Sequence, residues 1–229
     1  MNEQPPISTS ENTPLAEAYN SALRSHALML IALGYARMSP ANFKAAEEDA
    51  ITGELTREMQ AVIESEFAPE WTGHYSVQEQ VRANAPGKLG KDRPIVDIEF
   101  ERHKHGRRPR LRFEAKRLGP NHRAKGYFGD GGLDAFVTGY YDRTHEDTGM
   151  LGYVQSHDEA KWAGKLAKAS ADRTTQLSIE KQWAEFSGEG FPAFTYSTQH
   201  RDRSGKNLNV LHVLLRFVEL VQPLPNCGE

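Results

Sequence analysis

The sequence predicts a single α/β domain built on a mixed β-sheet flanked by helices. Three observations carry that expectation. Apolar residues recur at helical spacing early in the chain, with Leu23, Ala27, Leu30 and Ile31 in register. From about residue 75 the pattern changes to short segments in which Ile, Val and Phe alternate with charged residues, the signature of half-buried strands. Helical and strand-like segments then alternate to the end, the order of an α/β fold rather than of separate all-α and all-β parts. At 229 residues the chain is long enough to bury a large core.

In chain order, residues 1–14 are rich in Pro, Ser, Thr, Asn and Glu and are expected to form a disordered tail, leaving 15–229 as the domain. Leu15 to Met38 reads as a first helix. Ser39 reads as an N-cap with Pro40 at the first helical position, starting a second helix expected to run to about Glu66 on the apolar stripe Phe43, Ile51, Leu55, Met59 and Val62. Tyr75 to Val81 is a candidate strand. Pro94 to Arg102 and Pro109 to Lys116 are two more, joined so closely that an antiparallel hairpin follows. The glycine-rich Gly126 to Gly132 leads into an amphipathic helix over 133–141, and Gly149 to Ser156 reads as a buried strand. Helices are expected around 158–169 and 172–186. A closing hairpin pairs Ala193 to Gln199 with Leu208 to Val218 across the turn Asp202 to Lys206.

Composition narrows the function classes. Lys and Arg number 28 against 31 Asp and Glu, a net charge of −3, so a uniformly basic nucleic-acid coat is excluded. The only cysteine is Cys227, which excludes a disulfide framework and a Cys-rich zinc site. The longest apolar run, Ala27 to Ala36, is far short of the ~20 residues that span a bilayer, so no membrane partner is expected. With no basic, then apolar, leader at the N-terminus, a soluble cytoplasmic protein is expected.

The stretch from Asp97 to Lys116 carries the chemistry. Residues i and i+2 of a strand share a face, so Glu114 and Lys116 project together, and Asp97 on the hairpin partner can lie beside Glu114. Two carboxylates with a backbone carbonyl, here that of Ala115, make a hard oxygen site suited to Mg²⁺ or Mn²⁺. Such an ion acidifies a bound water and polarises a phosphoryl oxygen, while Lys116 orients the water or offsets growing negative charge.

Asp97 followed by Glu114-x-Lys116 on an apparent hairpin resembles the PD-(D/E)XK nuclease superfamily, with its restriction-endonuclease-like fold. The resemblance spans about residues 44–156. It implies a core of helix, hairpin with one or two strands, and crossover helix, with the aspartate ending or bending its strand. It also implies a further glutamate from the preceding helix, completing the metal shell. Glu48, in Glu48-Asp49-Ala50-Ile51-Thr52, is the first choice and Glu54 the second. The implied activity is Mg²⁺-dependent hydrolysis of nucleic-acid phosphodiesters. DNA is the expected partner and RNA the alternative, with a homodimer where both strands are cut and a partner protein where the chain is the effector of a restriction or antiphage system. The chain departs from the family name in having Val96 where proline is expected. The alternative is a nucleic-acid-binding or scaffold module of the same fold without catalysis.

A local basic run surrounds the motif. Lys104, Arg107, Arg108 and Arg110 precede it and Arg117, Arg123 and Lys125 follow, with Glu114 the only acidic residue between Arg102 and Lys125. In an acidic chain that concentration is expected to grip phosphates. Other features read as structural. The loop Gly126 to Gly132 lacks the G-x-x-x-x-G-K-[ST] pattern of nucleotide triphosphate sites. His212 alternates with Val210 and Leu214 as a core residue would, and Trp71, Trp162 and Trp183 read as core aromatics.

Overall fold

The computed structural model describes residues 14–85, 87–103, 108–141 and 146–218. Helix α1 spans Pro14–Arg37 and buries Leu23, Ala27, Leu30 and Ile31, the stripe its spacing predicts. Gly34 lets the next helix approach: a Cβ there would stand 2.5 Å from Met59 Cγ. The second expected helix is broken. Ser39 makes no side-chain cap, Pro40–Phe43 forms only a 3₁₀ turn, and helix α2 begins at Glu48 and ends at Ile63. The reason is tertiary. The Gln155 side chain donates to the carbonyls of Phe43 and Ala46 at 3.0 and 2.8 Å, tying this interruption to the end of β4.

Strands β1 (Tyr75–Arg82), β2 (Ile95–Arg102) and β3 (Arg110–Leu118) form an antiparallel meander. The short helices α3 (Ala124–Phe128) and α4 (Leu133–Val137) cross over to β4 (Asp147–Val154), which pairs parallel to β3. A side chain at Gly149 of β4 would collide with the ring of Phe113, so glycine permits that pairing. Helix α5 (Glu159–Ala171) follows, capped by Asp158, whose carboxylate accepts the Lys161 N–H at 2.7 Å. Three more strands complete the sheet: β5 (Ile179–Glu185), β6 (Thr195–Arg201) and β7 (Asn207–Arg216). The order is β1-β2-β3-β4-β7-β6-β5, with β7 parallel to β4 and the outer pairs antiparallel. The mixed α/β sheet flanked by helices is thus present.

One expected helix, 172–186, is instead turns and an edge strand. Ile179 and Trp183 fit a period of four as well as of two. Helix α5 ends at Ala171, and after the turns the positive φ of Ser178 (49°) redirects the chain into β5, which pairs with β6.

Two apolar clusters lie on opposite sides of the sheet. One joins α1 and α2 to Val77, Ile98, Phe100, Leu111, Phe113 and Ala115. The other joins α3, α4 and α5 to Val96, Leu118, Met150, Val154 and Leu214. Val96 and Ile98 are two residues apart on one strand, yet they pack into different clusters. Regular alternation forbids that, so β2 bends at Asp97. Opposite the bend, Gln80 has φ 52° and is skipped in the ladder, which joins Glu79 to Ile98 and Val81 to Val96.

His212 is buried as expected, but it is not isolated. Its Nε2 meets Thr198 Oγ1 at 2.9 Å, its Nδ1 meets the Tyr127 hydroxyl at 3.1 Å, and Thr198 also reaches His200 Nε2 at 2.7 Å. Burial holds the pKa of both imidazoles below the ordinary histidine value.

Candidate active site

The bend at Asp97 opens a gap between two strands. The ladder of β2 with β3 runs from Glu101 and Arg110 to Ile98 and Phe113 and stops there. Beyond it, β3 continues along β4 as far as Leu118 and Val154. The next backbone donor of β3 on the β2 side would lose its partner, and Asp97 replaces it: Oδ2 accepts the Ala115 N–H at 2.7 Å. The aspartate side chain is therefore anchored in the opening, against the backbone of the Glu114-Ala115-Lys116 motif.

Glu114 is buried at 4% exposure. The Tyr141 hydroxyl donates to its Oε1 and also, at 3.2 Å, to the Ile95 carbonyl. Burial first, and the Asp97 carboxylate second, push the Glu114 carboxyl up to about 9; the Tyr141 bond and Lys116 oppose the rise. Without a cation, two carboxylates in one poorly solvated gap cannot both be charged cheaply. A phenol has one proton for its two acceptors, so a protonated Glu114 also relieves that competition.

Lys116 points its ammonium into the same space. Nζ donates to the Ala115 carbonyl at 2.6 Å and to Glu48 Oε1 at 2.9 Å, and lies 3.9 Å from Glu114 Oε2. Burial works to lower its pKa, but Glu48, then Asp97 and Glu114, outweigh it, so the pKa is raised and the group stays charged.

Glu48 sits in the first turn of α2, where a carboxylate is favoured by the helix dipole. Its Oε2 accepts the Arg117 N–H at 3.1 Å. The same helix end is fixed by an ion pair from Arg117 Nη2 to Glu47 at 2.6 Å, and one turn on by Thr52 Oγ1 against the Tyr153 hydroxyl at 2.9 Å. The structure therefore brings together Glu48, Asp97, Glu114, the Ala115 carbonyl and Lys116. It does not bring Glu54 to them: that carboxylate is held on the outer side of α2 by Arg57 at 2.7 and 2.9 Å.

Among the described residues no set of three or more His, Cys, Asp and Glu side chains stands arranged as a metal cage. The donor chemistry nevertheless fits a hard divalent ion. The donors are all oxygen: two carboxylates and a carbonyl, a set Mg²⁺ accepts with waters completing its octahedron. Two of these oxygens, with Glu48, already surround a positive centre, the Lys116 ammonium.

No family model, curated protein or solved structure matches the chain.

The expected phosphate-gripping residues fare differently. Arg110 pairs with Glu101 at 2.7 Å and Glu99 at 3.4 Å, and Arg108 with Glu101 at 3.0 Å, so both are partly neutralised across the hairpin. Arg117 clamps the entry of α2, through Glu47 and the Ala46 carbonyl, rather than facing solvent. Arg123 and Lys125 are exposed at the start of α3. Lys104 and Arg107 lie outside the described residues. Sequence reasoning missed Tyr141, the donor to Glu114. Its only local signal was a tyrosine pair closing an amphipathic segment, and nothing in that spacing points to β3.

Proposed function

We propose that the chain is a metal-dependent endonuclease that hydrolyses DNA phosphodiester bonds, a member in kind of the PD-(D/E)XK nucleases. The observation that carries the reading is the meeting of Asp97, Glu114, the Ala115 carbonyl and Lys116 where β2 parts from β3. The succession α2, β1, β2, β3, crossover helices and a β4 parallel to β3 supports it, since the resemblance implies such a core.

Asp97 and Glu114, with the Ala115 carbonyl, would hold Mg²⁺ or Mn²⁺. When bound, the ion supplies Lewis-acid polarisation of the phosphoryl oxygen and an acidified water. The chain's own groups do the rest. Lys116 orients the attacking water and offsets charge developing on the phosphate. Glu48 holds Nζ of Lys116 and the backbone of Arg117, fixing the lysine over the gap. Tyr141 fixes the Glu114 carboxyl. Attack in line with the leaving oxygen yields a 5′-phosphate by the superfamily's usual outcome.

A second reading, a nucleic-acid-binding or scaffold module, is favoured by one observation. Lys116 satisfies the Ala115 carbonyl itself and Tyr141 satisfies Glu114, so the cluster also works as an internal brace. Plasmid DNA and a structured RNA incubated with Mg²⁺, Mn²⁺ or EDTA decide between them, with Lys116→Ala as control. Metal-dependent cutting lost in the variant supports the enzyme, and the preferred polymer distinguishes DNA from RNA. Binding without cutting, unchanged in the variant, supports the module. Among the described residues no helix is long and apolar enough to cross a membrane.

A further inference from the structure

Beside the candidate site, the face of β1–β2–β3 that lies away from α1 and α2 carries an open concavity of about 460 Å³. Five arginines line it, Arg82, Arg93, Arg108, Arg110 and Arg112, against two acidic residues, Glu99 and Glu101. The two carboxylates are shared by three of the arginines: Glu99 with Arg112 at 2.8 Å and Arg110 at 3.4 Å, Glu101 with Arg110 at 2.7 Å and Arg108 at 3.0 Å. Among the described residues, Arg82 and Arg93 meet no carboxylate. Arg82 Nη1 donates to the carbonyls of Lys91 and Arg93 at 2.7 and 3.3 Å, and Arg93 donates to the Gly90 carbonyl and Asn84 Oδ1. These contacts hold both guanidinium groups in place without neutralising them. The result is a preorganised hollow with an excess of three positive charges in a chain whose net charge is −3.

An anion with several oxygens completes such an array, because planar guanidinium groups bind phosphate in paired hydrogen bonds. Location selects among anions. Glu99 and Glu101 follow Asp97 along β2 by two and four residues, about 7 and 14 Å at the rise of a strand. Each strand of a duplex carries a phosphate about every 3.4 Å of axis, so the hollow starts within a few nucleotides of the gap at Asp97.

We propose that this concavity is a phosphate subsite, with Arg82 and Arg93 receiving backbone phosphates of the strand whose neighbouring bond lies at Asp97 and Glu114. The subsite rests on the nuclease reading for its substrate but has a readout independent of cutting. A free nucleotide offers the same phosphate chemistry, and the experiment separates the two sources.

The full chain is titrated in EDTA, where cutting is off, into a labelled 16-bp duplex at several salt concentrations. The Arg82→Ala/Arg93→Ala variant is expected to bind more weakly, with the slope of log K against log salt reduced by about 1 for each arginine lost. Single Arg82→Gln and Arg93→Gln variants, which retain a hydrogen-bond donor, are expected to lose about half as much slope each and stand in should the double variant not fold. Unchanged affinity and slope in the folded variants overturn the proposal. Saturable binding of a nucleoside diphosphate, lost in the variants while duplex affinity stays constant, overturns it in favour of a free-nucleotide pocket. Cutting by the wild type in Mg²⁺ is scored separately: an unchanged variant of an active nuclease removes the subsite alone, and an inactive wild type with a lowered slope in the variant removes the nuclease reading alone.

Discussion

Glu48 and Lys116 are 68 residues apart, yet Oε1 of one lies 2.9 Å from Nζ of the other, tying the start of α2 to the middle of β3. The contact makes the glutamate a positioning residue and the lysine the group it positions. Replacing Lys116 with Ala is expected to lower the plasmid-cutting rate about 10²–10³-fold, the usual effect of removing one preorganised charge-stabilising donor. Glu48→Gln is expected to reduce the rate less, because the amide oxygen still accepts from Nζ. Glu54→Gln is expected to leave it unchanged, since Arg57 holds Glu54 on the outer side of α2, away from Lys116. A gel assay of the three variants at fixed Mg²⁺ checks this order, and equal losses at Glu48 and Glu54 would overturn the assignment.

The raised pKa of Glu114 predicts how the metal-free protein responds to pH. Its folded value, about 9, lies above the ordinary 4.5, so the native state holds a proton that the unfolded state releases. The stability contributed by this group is complete below about 4.5 and is lost as pH rises towards 9. In EDTA, urea unfolding midpoints of the wild type are therefore expected to fall across that window relative to Glu114→Gln, which carries no titrating proton. Parallel curves for the two proteins would contradict the shift.

Metal binding should run against the same proton. A divalent ion at Asp97 and Glu114 needs both as carboxylates, so uptake at pH 7 is expected to release close to one proton. Calorimetric titration with Mn²⁺ in two buffers of different ionisation enthalpy measures that number. Affinity should rise with pH, and Glu114→Gln should lose both the binding and the release. Metal uptake with no proton exchanged would place the ion elsewhere.

The arrangement behind these expectations was only partly legible in the sequence. Asp97, Glu114 and Lys116 were readable because strand alternation and the short hairpin constrain them to a few ångströms. The bend that turns Asp97 into the gap was not, because the residue standing opposite it is Gln80 at φ 52°, a residue type that does not announce a left-handed backbone. The mixed sheet is foreseeable, whereas β5 carries a pattern that also fits a helix, because it is an edge strand with charges on both sides. Along the chain, Glu114 is the only acid in the basic run from Arg102 to Lys125. Pairing in the sheet counts across it, and sets Glu99 against Arg112 and Glu101 against Arg110.

Tyr141 is the test of whether Glu114 is actively held. Its hydroxyl bond lowers the Glu114 pKa, so Tyr141→Phe should raise that pKa further and move the acid limb of the pH–rate profile to higher pH. The ring stays packed against Phe136, so loss of the hydroxyl should cost only about 1 kcal/mol of stability. A profile superposable on the wild type would reduce Tyr141 to a packing residue.

Glu99 and Arg112 face each other in the β2–β3 ladder, 2.8 Å apart, with side-chain exposures of 6% and 10%. A buried ion pair adds little over a well-packed apolar pair, but removing one partner strands the other charge in a poorly solvated place. Glu99→Ala should therefore destabilise the protein by about 3–5 kcal/mol. Combining it with Arg112→Met should recover part of that loss, since the two facing charges are then removed together. Urea unfolding of the two single variants and the double variant gives the coupling. Additive losses would mean that the pair is hydrated and that the floor of the arginine-lined hollow is softer than its burial indicates. Strong coupling would establish a rigid floor, with Arg110 held at its edge between Glu99 and Glu101.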